Sequence, residues 1–180
     1  ATMAPAAYRY ALPKELYEEL GVRRYGFHGT SYSFVTKQLA KALGKPVGAL
    51  NAIVCHLGSG ASMCAVEDGK SVDTTMGLTP LEGLVMGTRA GDVDAGVLSF
   101  LAREGRDSTE LDALLNKKSG LLGLSDLASD MRAVRGRRAP FLKHTHTRAT
   151  QVKAAAEAGD ADARLARDVF VERCRKYLGA

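Results

Sequence analysis

Residues 51–73 read NAIVCHLGSGASMCAVEDGKSVD, and three short runs within them decide what the chain can fold into. The first, Ala52 to Cys55, is apolar, reaches His56 and breaks at Gly58-Ser59-Gly60. Ala61 to Val66 forms the second run and Lys70 to Asp73 the third, with Asp68-Gly69 between them. Asp-Gly between strand-like runs marks a two-residue hairpin turn, because both residues tolerate positive φ. The first junction is of another kind. Two glycines around one serine relieve the backbone of Cβ clashes, so several N–H groups can face one concavity. Such a concavity suits a phosphate, with His56 at its entrance; an ordinary glycine-rich turn accounts for the same residues without a ligand.

Upstream, Phe34, Val35, Leu39, Ala42 and Leu43 recur at helical spacing, with Thr30 or Ser31 as the cap and Gly44-Lys45-Pro46 as the stop. His28 and Gly29 therefore stand at a helix N-terminus, where N–H groups and the helix dipole favour an anion. A structural histidine fits there as well. Earlier still, residues 1–12 read as a cut end, Pro13 opens a short helix that Gly21 stops, and 22–25 suits a short strand.

Downstream, residues 74–94 hold four glycines and a proline and predict a long irregular segment, a type of connection that is frequently functional. Arg89 lies among small neighbours in it and is either a surface cation or a group that a ligand can approach closely. Helices are expected over 93–103 and from Asp107, where Glu110 completes a capping box. A break follows at 120–123, then a short helix from Ser125. Residues 160–178 form an amphipathic helix with Ala161, Leu165, Ala166, Val169, Phe170, Cys174 and Leu178 on one stripe. The pattern gives an α/β chain, with antiparallel hairpin strands over 51–73 backed by the helices at 31–43 and 160–178.

At 180 residues the chain has the size of one domain and can bury a real core. Its formal charge of +5 is local: residues 132–153 hold seven Lys or Arg and no acid, leaving 18 basic against 20 acidic residues elsewhere. No nucleic-acid reading motif accompanies that stretch. No apolar run reaches the roughly 18 residues of a membrane span, and no signal pattern opens the chain. Three cysteines, Cys55, Cys64 and Cys174, read as buried reduced thiols. His144 and His146 lack a third ligand at metal-site spacing.

The words GFHGTS (26–31), HLGSGAS (56–62), DTTMGLTPLEGLVMGTRAGDVD (73–94) and SDMR (129–132), in this order, closely resemble the acetate kinase family. The resemblance covers nearly the whole chain except 135–150, which reads as an exposed basic insertion. It implies the sugar kinase, Hsp70 and actin superfamily and an incomplete ribonuclease H-like (actin-like ATPase) domain. Residues 1–180 would then be part of the family's C-terminal domain. The N-terminal domain, with its phosphate loop, a second arginine and an aspartate, would precede them, and an adenosine loop would follow.

The resemblance further implies in-line phosphoryl transfer between ATP and acetate, giving ADP and acetyl phosphate, with Mg²⁺. His28 would hold the transferring phosphoryl group, and Arg89 would bind the substrate carboxylate and neutralise transition-state charge. His56, Leu57, Gly58, Ser59 and Gly60 would cradle the nucleotide phosphates; Asp130, Met131 and Arg132 would line the nucleotide site. Phe27 and Pro80 would wall the acetate methyl, and no metal ligand falls within the chain. Tyr32 and Ser59 stand where the family usually has histidine and asparagine.

A homodimer in the complete enzyme, a cytoplasmic location (an organelle remaining open) and no nucleic-acid or membrane partner complete the expectation, with the 180 residues alone inactive. Two alternatives stand beside it: a propionate or butyrate kinase, and a non-catalytic module binding an anionic partner through 132–153.

Overall fold

The computed structural model describes residues 2–127, 129 and 152–179. Asp130, Met131 and Arg132, the stretch 135–150 and its two histidines lie outside the described residues. Two compact units divide the chain, Ala1–Leu84 and Val85–Ala180.

The first unit is built on the hairpins expected from 51–73. Strands β1 (Ala52–Leu57), β2 (Ala61–Glu67) and β3 (Lys70–Thr74) form an antiparallel sheet in the order β1-β2-β3. Asp68 and Gly69 take φ values of 49° and 71°, the two positive angles of the turn that Glu67↔Lys70 pairing requires. Asn51 Oδ1 accepts from the Asp68 N–H at 2.9 Å and fastens that turn. At the other junction Leu57 pairs with Ala61. Neither Gly58 nor Gly60 has a positive φ, so these glycines serve space and not backbone angle. A Cβ on Gly58 would come within 3.3 Å of the Gly60 carbonyl oxygen and 3.4 Å of His56 Nε2.

Short helices α1 (Pro5–Tyr8) and α2 (Lys14–Glu18) precede α3 (Gly29–Leu43), which packs on β1. Pro13 caps α2 from outside rather than opening it. Residues 22–25 form no strand. Arg24 N–H goes to the Tyr8 carbonyl and Tyr25 N–H to the Gly77 carbonyl, two separate ties instead of a ladder. The α3 face that faces inward is Tyr32, Thr36 and Ala40, whereas Phe34, Val35 and Leu43 are exposed. Periodicity located the helix but picked the wrong face, because a narrow, partly polar stripe lets the helix lie close to the sheet. Tyr32 joins Val54, Cys64 and Val66 in a core cluster.

The second unit is helical: α4 (Ala95–Arg103), α5 (Ser108–Lys117), α6 (Gly120–Ser125), α7 (Val152–Glu157) and α8 (Ala161–Leu178). Asp94 caps α4 and Asp107 caps α5, the latter with the Glu110 capping box in place. The expected break at 120–123 is instead α6, and Ser125 ends a helix rather than starting one; its hydroxyl returns to the Leu121 carbonyl at 2.7 Å. Helix α8 packs on α6 and α7 within its unit. Its inward positions are Ala163 and Ala166, with Val169 and Phe170 beside them, while Leu165 and Leu178 are exposed. Small residues admit close helix approach, so burial follows the alanines and not the larger leucines. Val85, Leu121, Val152 and Ala156 complete this core. All three cysteines are free thiols, Cys64 buried, Cys174 half-buried and Cys55 exposed, so the expectation of burial fails at Cys55, on the outer face of β1.

Candidate active site

His28 is the residue from which α3 starts. It occupies the left-handed region (φ 64°, ψ 16°), a conformation that costs a residue with a Cβ roughly 1–2 kcal/mol. Its carbonyl accepts the first helical bond, from Tyr32 N–H at 3.0 Å. The N–H groups of the first turn therefore have no intrahelical acceptor and face outward with the positive end of the dipole. Gly29 leaves this end open, since a Cβ there would meet nothing within 4 Å.

Helical spacing brings His28, Ser31 and Tyr32 to one side of that turn, and strand pairing sets His56 opposite Ser62. The two sets interlock. The His28 and His56 rings stack with centroids 3.9 Å apart and planes 16° apart, and Tyr32 stands edge-on to His28. His28 Nδ1 lies 2.7 Å from Ser62 Oγ, and His56 Nδ1 lies 3.0 Å from Ser31 Oγ. The Tyr32 hydroxyl also bonds Ser62, whose side chain is fully buried. Burial raises the Tyr32 pKa above the ordinary phenol value, with hydrogen bonds to Ser62 and Thr74 opposing, so the ring is neutral at physiological pH. Tyr32 thus points inward, away from the edge where a histidine was the expected residue. Two imidazoles, the N-terminus of α3 and the 58–60 turn thus lie in one unit, and groups of these kinds are chemically suited to an anion.

Phe27, half-buried, lines a cavity of about 310 Å³ with Met3, Tyr25, Tyr32, Cys64 and Val66. Pro80 belongs to the segment after β3, which a second network holds. Arg24 Nη1 donates to the carbonyls of Thr74 and Thr75 at 2.9 and 3.2 Å, and Nη2 meets Glu82 Oε1 at 2.7 Å. The Tyr10 hydroxyl donates to the other Glu82 oxygen and accepts from Leu78 N–H at 2.9 Å. Burial, then the bond to Glu82, pushes the Tyr10 pKa up to about 12. Sequence reading missed Arg24, Glu82 and Tyr10, which lie up to 72 residues apart and form no local pattern.

Arg89 sits in the second unit on a turn closed by Met86 N–H to its own carbonyl at 3.1 Å. The turn is clamped from outside. Ser119, Leu121 and Leu122 N–H groups donate to the Thr88, Met86 and Gly87 carbonyls at 2.9–3.0 Å, and Ala90 N–H donates to Leu115. Gly120, at φ 65°, makes this approach possible: a Cβ there would fall 2.2 Å from the Met86 oxygen and 2.7 Å from the Arg89 oxygen. The half-buried guanidinium reaches the Met86 sulfur through Nη1 at 3.8 Å. Three residues after this turn, Asp92 accepts from the Tyr177 hydroxyl of α8 at 2.6 Å. The 74–94 stretch is irregular, as expected, yet well tied.

Among the described residues no group of three or more His, Cys, Asp or Glu is placed to hold a metal ion. No helix among them is long and apolar enough to cross a membrane.

The acetate kinase of Oleidesulfovibrio alaskensis is 51% identical over 180 residues, 99% of this chain and 40% of that protein. The propionate kinase of Yersinia enterocolitica is 49% identical over 179 residues, again 40% of its length. The crystal structure of Porphyromonas gingivalis acetate kinase superposes with a TM-score of 0.86 at 41% identity, covering 99% of this chain and 40% of that one. The chain thus spans about two-fifths of the length of these relatives, and its partial α/β domain is one they share. Residues 1–180 match the Acetokinase family throughout, and the chain belongs to that family.

Proposed function

We infer that this chain carries part of the catalytic domain of an acetate kinase, which moves the γ-phosphoryl group of ATP to acetate, reversibly and with Mg²⁺. The observation that carries the reading is the stacked His28–His56 pair at the open start of α3, beside the Gly58–Ser59–Gly60 turn. Phosphoryl transfer asks a protein mainly for positioning and for stabilisation of charge on the transferred oxygens. His28 holds the transferring group through an imidazole N–H. His56 and the backbone from Leu57 to Gly60 take the nucleotide phosphates. Arg89 binds the carboxylate with its two-pronged donor set and offsets charge as the group moves. Phe27 and Pro80 are the apolar walls beside the methyl group, and Asp130, Met131 and Arg132 line the nucleotide. ATP fits the described donors, which are suited to phosphate; Mg²⁺, when bound, supplies further charge neutralisation, from ligands outside the described residues. The active form is a homodimer of protomers with the relatives' full length, and the 180 residues alone turn over no acetate.

The Yersinia enterocolitica relative favours a second reading, with propionate as the acid. Both are tested by grafting this chain in place of the matching part of the Oleidesulfovibrio alaskensis enzyme and following ADP release with acetate, propionate and butyrate. Acetate is expected to give the highest kcat/KM; a preference for propionate would replace the first reading by the second. In the same graft, Arg89→Ala is expected to lower turnover roughly 10²–10³-fold, the usual cost of one charge-stabilising donor. Arg89→Lys recovers only part, because an ammonium lacks the fork. Near-normal turnover in both variants would remove Arg89 from the reaction.

A further inference from the structure

The hydrogen bonds behind His28 carry a second conclusion, which rests on the reading of His28 as the phosphoryl-facing imidazole. We propose that Ser62 is a positioning residue: it fixes the tautomer of neutral His28, keeping the ring proton on Nε2 while Nδ1 only accepts.

A serine hydroxyl has one proton to give and two lone pairs. Ser62 is fully buried, so its choices are its two neighbours, His28 Nδ1 at 2.7 Å and the Tyr32 hydroxyl. If Ser62 donates to Tyr32, His28 must carry its proton on Nδ1 to reach Ser62. If Tyr32 donates to Ser62, the Ser62 proton goes to Nδ1 and the imidazole proton resides on Nε2. A phenol is a good donor and a poor acceptor, whereas a neutral imidazole nitrogen is the best acceptor of the three groups. Thr74, whose own proton goes to the Met63 carbonyl at 2.9 Å, could only accept from Tyr32, and Ser62 is the acceptor in hydrogen-bond contact with that hydroxyl. The chain of bonds therefore runs from Tyr32 to Ser62 to His28.

Which nitrogen of a histidine carries the proton is set by the bond its other nitrogen makes. Here that bond leaves neutral His28 with an N–H at Nε2, a donor to an anionic phosphoryl oxygen that needs no prior protonation of the ring. Tyr32 is what sets the direction of the bonds. A histidine at its place could offer Ser62 either a donor or an acceptor, and could charge; a phenol above its usual pKa offers one dependable proton.

The direct test is the ¹⁵N spectrum of the histidine-labelled chain above the imidazole pKa, with His28 assigned by loss of its signals in His28→Gln. His28 Nδ1 is expected at the position of an acceptor nitrogen and Nε2 at that of an N–H nitrogen. In Ser62→Ala, both signals should move toward an averaged position while the far-ultraviolet dichroism holds. A wild-type His28 protonated on Nδ1 would overturn the proposal, as would an unchanged spectrum in folded Ser62→Ala. The wild-type reading needs no variant, so a Ser62→Ala chain that fails to fold leaves the question decidable. In the grafted enzyme Ser62→Ala is expected to lower kcat about 10–100-fold, the usual cost of losing an outer partner that orients a ligating histidine, and to leave the KM for ATP unchanged. A raised KM with full kcat would contradict the role. A graft that makes no acyl phosphate while His28 reads as the Nε2–H form would sink the proposed function and leave this assignment standing.

Discussion

Among the described residues, His28, Asp68 and Asp126 are the non-glycine residues with positive φ, and aspartate tolerates that region through its short polar side chain. Histidine at φ 64° is the costly one, and Gly26 and Gly29 on either side give the backbone the latitude to hold it. Strain of this kind persists where the surroundings over-determine it, commonly at functional sites. His28→Gly and His28→Ala lose the same stack on His56 and the same bond to Ser62, so their difference isolates the backbone angle. The glycine variant is expected to be about 0.5–1 kcal/mol more stable than the alanine one by denaturant midpoint, after the larger chain entropy of glycine is deducted. An alanine variant as stable as the glycine one would mean that His28 is not held at a positive φ. At this scale the sequence showed where the two histidines stand, through GFHG and HLGSG, but not that they touch. Their contact depends on the strand register that sets His56 beside Ser62, and register cannot be read from one strand alone.

Elements were legible in proportion to how local their causes are. The Asp68-Gly69 hairpin and the Asp107–Glu110 capping box are set by residues within four positions of one another, and both stand as expected. Helix α6 was missed because Gly120 and Gly123 read as breakers, whereas Gly120 is there for the backbone of Met86 and Arg89 to pass it. A Cβ at position 120 should push the Arg89 turn off its clamp. Gly120→Ala is expected to destabilise the chain by about 1–3 kcal/mol, the range for a strained backbone forced on a packed site, measured by denaturant titration. An unchanged midpoint would show that the clamp is looser than its hydrogen bonds indicate. On α3 close packing selects Tyr32, Thr36 and Ala40 in place of the larger Phe34, Val35 and Leu43, whereas on α8 Ala166, Val169 and Phe170 of the expected stripe do pack inward while its leucines, Leu165 and Leu178, are exposed.

The Arg24–Glu82–Tyr10 network belongs to this scale too, since it ties the segment before α3 to the one after β3. Tyr10 keeps its proton in the fold up to about pH 12, whereas an unfolded tyrosine gives it up near 10. Its contribution is therefore fully present below pH 10 and is lost as pH rises through 12. The wild type should melt above Tyr10→Phe near neutral pH, and the gap should close between pH 10 and 12. A gap that stays constant across that window would remove Tyr10 from the alkaline transition.

At the scale of the whole molecule, β1 is an edge strand among the described residues, with Ile53 and Leu57 half-exposed, and the chain spans about two-fifths of its relatives. An apolar edge of this kind is a surface that more polypeptide ordinarily covers. Family membership was legible because the motif words stand in one order along most of the chain. Charge was the least informative signal, since the basic stretch 132–153 is a local feature of the sequence and says nothing of the core. Everything proposed for the site depends on the imidazole of His28 meeting a phosphoryl group in transit. The measurement that tests it most directly is the rate of acetyl phosphate formation from ATP and acetate by the graft and its His28→Gly variant, which spares the backbone. A working graft whose variant falls at least about 10²-fold in turnover while keeping its fold is the predicted result; a folded variant that works at the rate of its parent would contradict the account.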